Sequence, residues 1–179
     1  MGWFSNTLTS NRIQNTGTII ACRGLLSANQ LILDGVDQFA TEQIARGNQL
    51  SAKAFSIYGV NSQLGRELQI AVNTLNSLKS ETTQRLEQLE EMCGDMTVLI
   101  QQFDLPRTSR GLNLSGKQMA HAAENMTDKA LNDLSGLITN YRPKVINCIE
   151  TLDKADQRLN PGSASTALLA LPAMNFRSR

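Results

Sequence analysis

Aromatic side chains and charge are both scarce in this chain of 179 residues: Phe, Tyr and Trp make up 4% of it, and Asp, Glu, Lys and Arg 18%. With so few aromatics, any core must be built from aliphatic and small side chains. The charged share lies below the roughly 25% usual for globular domains, and the polar surface falls instead to Asn, Gln, Ser and Thr. The net charge is +1, so no global field exists to hold nucleic acid or an anionic membrane. No specific nucleic-acid binding is expected, and membrane contact is left open without being predicted.

Clustered metal ligands are missing as well. Cys22, Cys93 and Cys148 form no C-x-x-C pair, and the single histidine, His121, is far from each of them in sequence. The cysteines are expected as three small buried hydrophobes, and no metal or cofactor is expected. His121 belongs to no Cys-His or Ser-His-Asp arrangement and reads as a surface or partly packed side chain. Glu81, Glu87, Glu90, Glu91 and Asp95 are acidic neighbours, but general acid–base work needs paired carboxylates in a cleft. On a long helix they read as a solvated face, with Lys129 on a facing helix as partner. No enzyme is expected.

The start of the chain lacks a basic segment of the secretory kind, and Asn6 stands where a myristoylation pattern needs Ser or Thr. The most apolar window, Ile19 to Val36, is interrupted by Arg23, Asn29, Gln30 and Asp34, which argues against a membrane-spanning helix. Localisation stays unknown: cytoplasmic synthesis is expected, with later incorporation into a virion or an exported assembly left open.

Proline is absent before Pro106, so nothing interrupts a long helix there. Apolar residues recur at steps of four and three along Leu64, Leu68, Ala71, Leu75, Leu78, Thr82, Arg85, Leu89, Met92, Met96, Leu99 and Phe103; only Thr82 and Arg85 break the series. That spacing predicts a helix with a seam along one side. A second stripe, Ala123, Met126, Ala130, Leu134, Leu137, Tyr141, Val145, Cys148, Leu152, Ala155 and Leu159, keeps phase through Pro143, which predicts a kink rather than a break.

A first helix carries Ile19, Cys22, Leu26, Leu33, Val36, Ala40 and Ile44, with Ile20, Leu31, Ile32 and Phe39 widening the stripe; so broad a face suggests two neighbours. Glycine recurs at Gly24, Gly35, Gly47, Gly59 and Gly65. Each costs about 1 kcal/mol inside a helix, which implies tight packing or hinges. Gly47-Asn48 either closes the first helix or lets it run straight on.

The fold class expected is all-α: an elongated antiparallel hairpin or three-helix bundle with long coiled-coil-like helices, one of them kinked at proline. Residues 1–16 form a flexible N-terminal arm. Residues 17–160 form a single elongated helical domain, with helices at about 18–46, 49–104 and 115–159. Residues 161–179 form a C-terminal tail, docked or free. Facing positions of the second and third helices should have residue numbers that sum to about 220. If the chain turns at Gly47, Cys22 and Cys148 would both lie near the level of Asn73.

Gly111-Leu112-Asn113-Leu114-Ser115-Gly116-Lys117-Gln118 fits G-x-x-x-x-G-K, with Gln where a phosphate loop needs Ser or Thr. No strand run precedes it, and a capped helix start explains every residue: Ser115 as N-cap, Gln118 completing the box, Leu114 stapling onto Met119.

The function expected is that of a non-enzymatic structural protein whose helices pack into a larger homo- or hetero-oligomeric complex, through self-association or other protein subunits. Virion, secretion-apparatus and filament components have this compositional character. The surfaces to examine are the Trp3-Phe4 pair, the basic tip of Arg107, Arg110 and Lys117, and the apolar tail with Leu168, Leu169, Leu171 and Phe176. Two alternatives stand beside it: a membrane-active or delivered protein that inserts the Gly-rich first helix into lipid, and a nucleotide-binding regulator using the degenerate phosphate loop.

Overall fold

The computed structural model describes residues 3–104, 112–162 and 171–172, with side chains at 13–102, 116–162 and 171–172. Three α-helices account for it: α1 (Trp3–Tyr58), α2 (Gln63–Asp104) and α3 (Leu112–Leu159). No strand occurs among the described residues. The fold is all-α, with helices packed on one another.

The helix boundaries differ from the expected ones in three places. First, α1 begins at Trp3, so residues 3–16 are helical where an arm was expected. Second, the chain does not turn at Gly47. The helix runs through it to Tyr58, and the turn lies at 59–62. Gly59 has φ +83°, the left-handed conformation that ends helices, and its N–H donates to Phe55 O at 2.9 Å. Ser62 then caps α2: its Oγ accepts from Gly65 N at 3.1 Å. Third, α3 starts at Leu112, so Ser115 lies within the helix and is not its cap. The far ends agree with expectation. α2 stops at Asp104 just ahead of Pro106, α3 continues through Pro143, and it ends at Leu159 before Asn160-Pro161-Gly162.

The helices contribute to two compact units. The first unit takes 3–31 of α1, 87–104 of α2 and 112–134 of α3. Its core comprises Ile19, Cys22 and Leu26, Leu89 and Met96, and Ala120, Ala123, Leu131 and Leu134. Two polar side chains are fully buried in it, and each bonds back to its own helix: Asn29 Nδ2 to Leu25 O at 2.9 Å and Thr127 Oγ1 to Ala123 O at 2.8 Å. Thr127 occupies the buried position expected for Met126, which is exposed.

The second unit takes 32–86 and the described residues from 135 onward. Leu33, Val36, Phe39, Ala40, Leu50 and Ala54 pack with Leu68, Ala71, Val72, Leu75 and Leu78 and with the α3 stripe from Leu137 to Leu159. Contacts across α1 and α2 run antiparallel about the 59–62 turn: Lys79 Nζ bonds Asp37 at 3.0 Å, and Ser51 Oγ donates to Gly65 O at 3.3 Å. Arg46 joins α1 to α3, with Nη1 on Asp153 and Nη2 on Asp156, both at 2.8 Å. Burial pulls the Arg46 pKa down, but the hydrogen bonds to Asp156 and Asp153 outweigh it and leave it raised. Tyr141 OH meets Glu81 Oε1 at 3.1 Å, the α2–α3 register expected from a hairpin.

Because α1 folds back at 59–62 and not at Gly47, only Cys148 sits at the expected level, beside Thr74. Cys22 lies in the first unit, in a groove with Glu124. The three cysteines are free; Cys22 and Cys148 are buried, whereas Cys93 is half-buried and lies 3.6 Å from Ser27 Oγ.

Candidate interaction surface

The glycines separate into two kinds. A methyl group added at Gly47 would lie 2.5 Å from Val72 Cγ2 and 3.2 Å from Leu152 Cδ2; one at Gly65 would lie 2.5 Å from the Phe55 ring. These two allow the close backbone approach expected of them. At Gly17, Gly24 and Gly35 a methyl group would meet nothing within 4 Å. Tight packing among the described residues does not account for them.

Those open glycines fall on a second stripe of α1. In the first unit, Ile13, Gly17, Ile20, Gly24 and Leu31 are all exposed, with Ile13 68%, Ile20 52% and Leu31 74% accessible. Ile20 and Leu31 therefore do not widen the buried face. At about 100° per residue, this stripe lies on the side of the helix opposite Ile19, Cys22, Leu26, Asn29 and Leu33. Its steps of four, three, four and seven are those of a helix–helix seam. From Ile13 to Leu33 only Arg23 is charged, so the face is nearly neutral. An apolar, uncharged helix face in water is characteristic of a contact surface.

The second unit has a different exposed group. Ile57, Tyr58 and Val60 surround the α1–α2 turn, and Val60 is 85% accessible. Its flanks carry ordered ion pairs: Asp37 with Lys79, Glu81 with Arg85, and Arg46 with its two aspartates.

Of the surfaces expected from sequence, Lys117 is exposed on α3 and Leu171 is half-buried. Trp3 and Phe4 lie in the first turn of α1, with side chains outside the described set, and Arg107, Arg110, Leu168, Leu169 and Phe176 also lie outside it. Lys129 makes no ion pair among the described residues; Glu81 takes Arg85 and Tyr141 instead. His121 is exposed, 3.7 Å from Glu124. Leu112 to Gln118 are helical, whereas a phosphate loop cradles its ligand with non-helical backbone ahead of the helix. From Leu112 to Lys117 the G-x-x-x-x-G-K pattern is thus part of a helix.

Between Ile13 and Tyr58, α1 is long and apolar enough to cross a membrane, with a window of mean hydropathy 1.2 that is 33% buried within the protein. Length and composition alone set that property, and core helices of soluble bundles share it. Comparison with known protein families, with curated proteins and with solved structures found no match.

Proposed function

We propose that this chain is a non-enzymatic assembly protein that joins other subunits, copies of itself or different chains, through the outer face of α1. The observation that carries the reading is the exposed stripe Ile13, Gly17, Ile20, Gly24 and Leu31. Helical glycines cost about 1 kcal/mol each relative to alanine. At Gly17 and Gly24 no neighbour among the described residues uses the space that they leave. A second helix laid on the stripe would use it, because its side chains enter where the glycines stand while Ile13, Ile20 and Leu31 become buried.

The magnitudes favour an assembly over an isolated pair. Burying one large aliphatic side chain contributes about 1.5–3 kcal/mol. Six of them, three from each of two like subunits, give on the order of 10 kcal/mol. Association costs a comparable amount, about 4–15 kcal/mol. A lone pair is therefore weak, and repeated contacts within a larger array gain by multivalency. Light scattering across a concentration series tests the proposal. A mass that rises above the 19.6 kDa of one chain is expected; a monomer at every concentration, alone and with candidate partner subunits, would sink it.

The apolar window of α1 favours a second reading, a membrane-active protein that opens its bundle onto lipid. Leakage from vesicles of phosphatidylcholine and phosphatidylserine discriminates. A protein that assembles yet releases no trapped dye supports the first reading over the second.

A further inference from the structure

At one end of the second unit, the C-terminus of α1, the 59–62 turn, the N-terminus of α2 and the C-terminus of α3 come together through hydrogen bonds and a ring contact. Ile57, Tyr58 and Val60 are 54%, 47% and 85% accessible there. Val60 stands in the turn itself and serves no core. Three exposed cations lean toward the same end. Arg66 Nη2 donates to Asn61 O at 3.2 Å. The Arg158 guanidinium lies 5.4 Å from the centre of the Tyr58 ring. Lys53 Nζ donates to the Asn160 side chain. None of the three forms an ion pair among the described residues, in contrast to Arg46, Lys79 and Arg85 on the flanks of the unit. Lys154, one turn back on α3, is exposed as well.

The nearby acids do not cancel this charge. Arg46 is shared by Asp153 and Asp156, both at 2.8 Å, so that group keeps one negative charge, and Glu67, accepting from Gln63 at 3.0 Å, adds a second, against the four positive charges of Lys53, Arg66, Lys154 and Arg158. The helix ends add about half a negative charge each at α1 and α3 and half a positive charge at α2. The sum stays positive around an apolar tip.

We propose that this tip docks on an anionic lipid surface, with Val60 and Ile57 entering the interface, Tyr58 at headgroup level, and Lys53, Arg66 and Arg158 meeting the phosphates and carboxylates. Charge complementarity selects an anionic occupant, and size selects lipid over protein. A stable protein interface needs about 800 Å² on each side, and the tip, unlike the α1 stripe, offers no length of helix along which a partner helix could extend the contact. A lipid interface accepts a few apolar residues ringed by Lys and Arg, and it favours Tyr at its boundary. The proposal is independent of the α1 assembly face, which lies in the first unit.

Co-sedimentation of the full chain with vesicles tests it, comparing pure phosphatidylcholine with phosphatidylcholine containing phosphatidylserine. Binding is expected only with phosphatidylserine and should fall at high salt. Val60→Asp should weaken it about tenfold or more, and Lys53→Gln and Arg158→Gln about fivefold each. Val98→Asp, at an exposed site of α2 in the first unit and outside the α1 stripe, should leave it unchanged. Circular dichroism confirms that each variant keeps its helicity; Val60 is so exposed that its replacement does not threaten the fold.

Equal binding to both vesicle types, no binding at all, or unchanged binding by Val60→Asp would overturn the proposal. So would a Val60-dependent capture of polyglutamate without vesicle binding, which would make the partner an acidic protein. A change in solution mass on Val60→Asp in the absence of vesicles would make the tip a contact between copies and overturn it too.

Discussion

Gly47 and Gly24 occupy the same helix and have opposite surroundings, and substitution separates them. Alanine at Gly47 gains helix propensity of about 1 kcal/mol but drives a methyl group to 2.5 Å from Val72 Cγ2, on a β-branched side chain with little freedom to turn. Overpacking costs about 1–3 kcal/mol, so Gly47→Ala should lower the denaturant midpoint. Gly24→Ala should raise the midpoint, through a stability gain of about 1 kcal/mol in the isolated chain, yet weaken association if a partner helix lies on the stripe. Thr82 offers a second test. It is fully buried, and its hydroxyl has no hydrogen-bond partner among the described residues. Thr82→Val keeps the shape and removes the unsatisfied group, and should stabilise by about 1 kcal/mol, read from urea unfolding.

Cys148 supplies a pH dependence. Burial pushes its thiol above the ordinary 9.0, only partly offset by a hydrogen bond with Thr74. A raised folded pKa means that the native state keeps its proton while the unfolded chain releases it. The stability contributed is therefore complete below 9.0 and is lost as pH rises through the folded pKa. Burial, helped by the hydrogen bond to Glu81, likewise raises the Tyr141 pKa above 10.0, and its contribution fades at higher pH in the same sense. The melting temperature should fall on going above about pH 9, and Cys148→Ser should flatten the first part of that fall.

At the scale of elements, the turn at 59–62 was the main feature that the sequence hid. Gly47-Asn48 and Gly59-Val60-Asn61-Ser62 are both glycine-bearing segments in a helical pattern, and propensity alone does not rank them. Tertiary structure decides: Gly47 is buried against Val72 and Leu152, whereas Gly59 takes φ +83° and Ser62 caps α2. Ser62→Ala should cost about 1 kcal/mol, measurable as a shift in thermal midpoint. The seams of α2 and α3 were legible because heptad spacing survives any choice of partner: Leu68, Leu75, Leu78, Leu89, Leu134, Leu152 and Leu159 are all buried as their spacing requires. α1 was legible on one side only. Its two stripes are both apolar, and periodicity could not say that Ile19 faces the core while Ile20 faces water. The outer stripe as a distinct surface was missed for that reason, although the open glycines among its apolar residues were the available signal.

At the scale of the molecule, the seam from Leu64 to Leu99 and the stripe from Ala123 to Leu159 are answered within the chain, each unit drawing on all three helices. Among the described residues, most of the exposed large apolar side chains gather on the outer side of α1 and around the turn at Val60, with Ile70, Val98 and Met126 apart from them, and the assembly proposed above uses the first group. The most direct test of that claim is solution mass by light scattering for the wild-type chain beside Ile20→Asp/Leu31→Asp, with Ile70→Asp as the control at an exposed site on α2. The expected result is a wild-type mass that rises with concentration, an unchanged rise for Ile70→Asp, and a mass fixed at one chain for the α1 double variant. A double variant that assembles as the wild type does would contradict it.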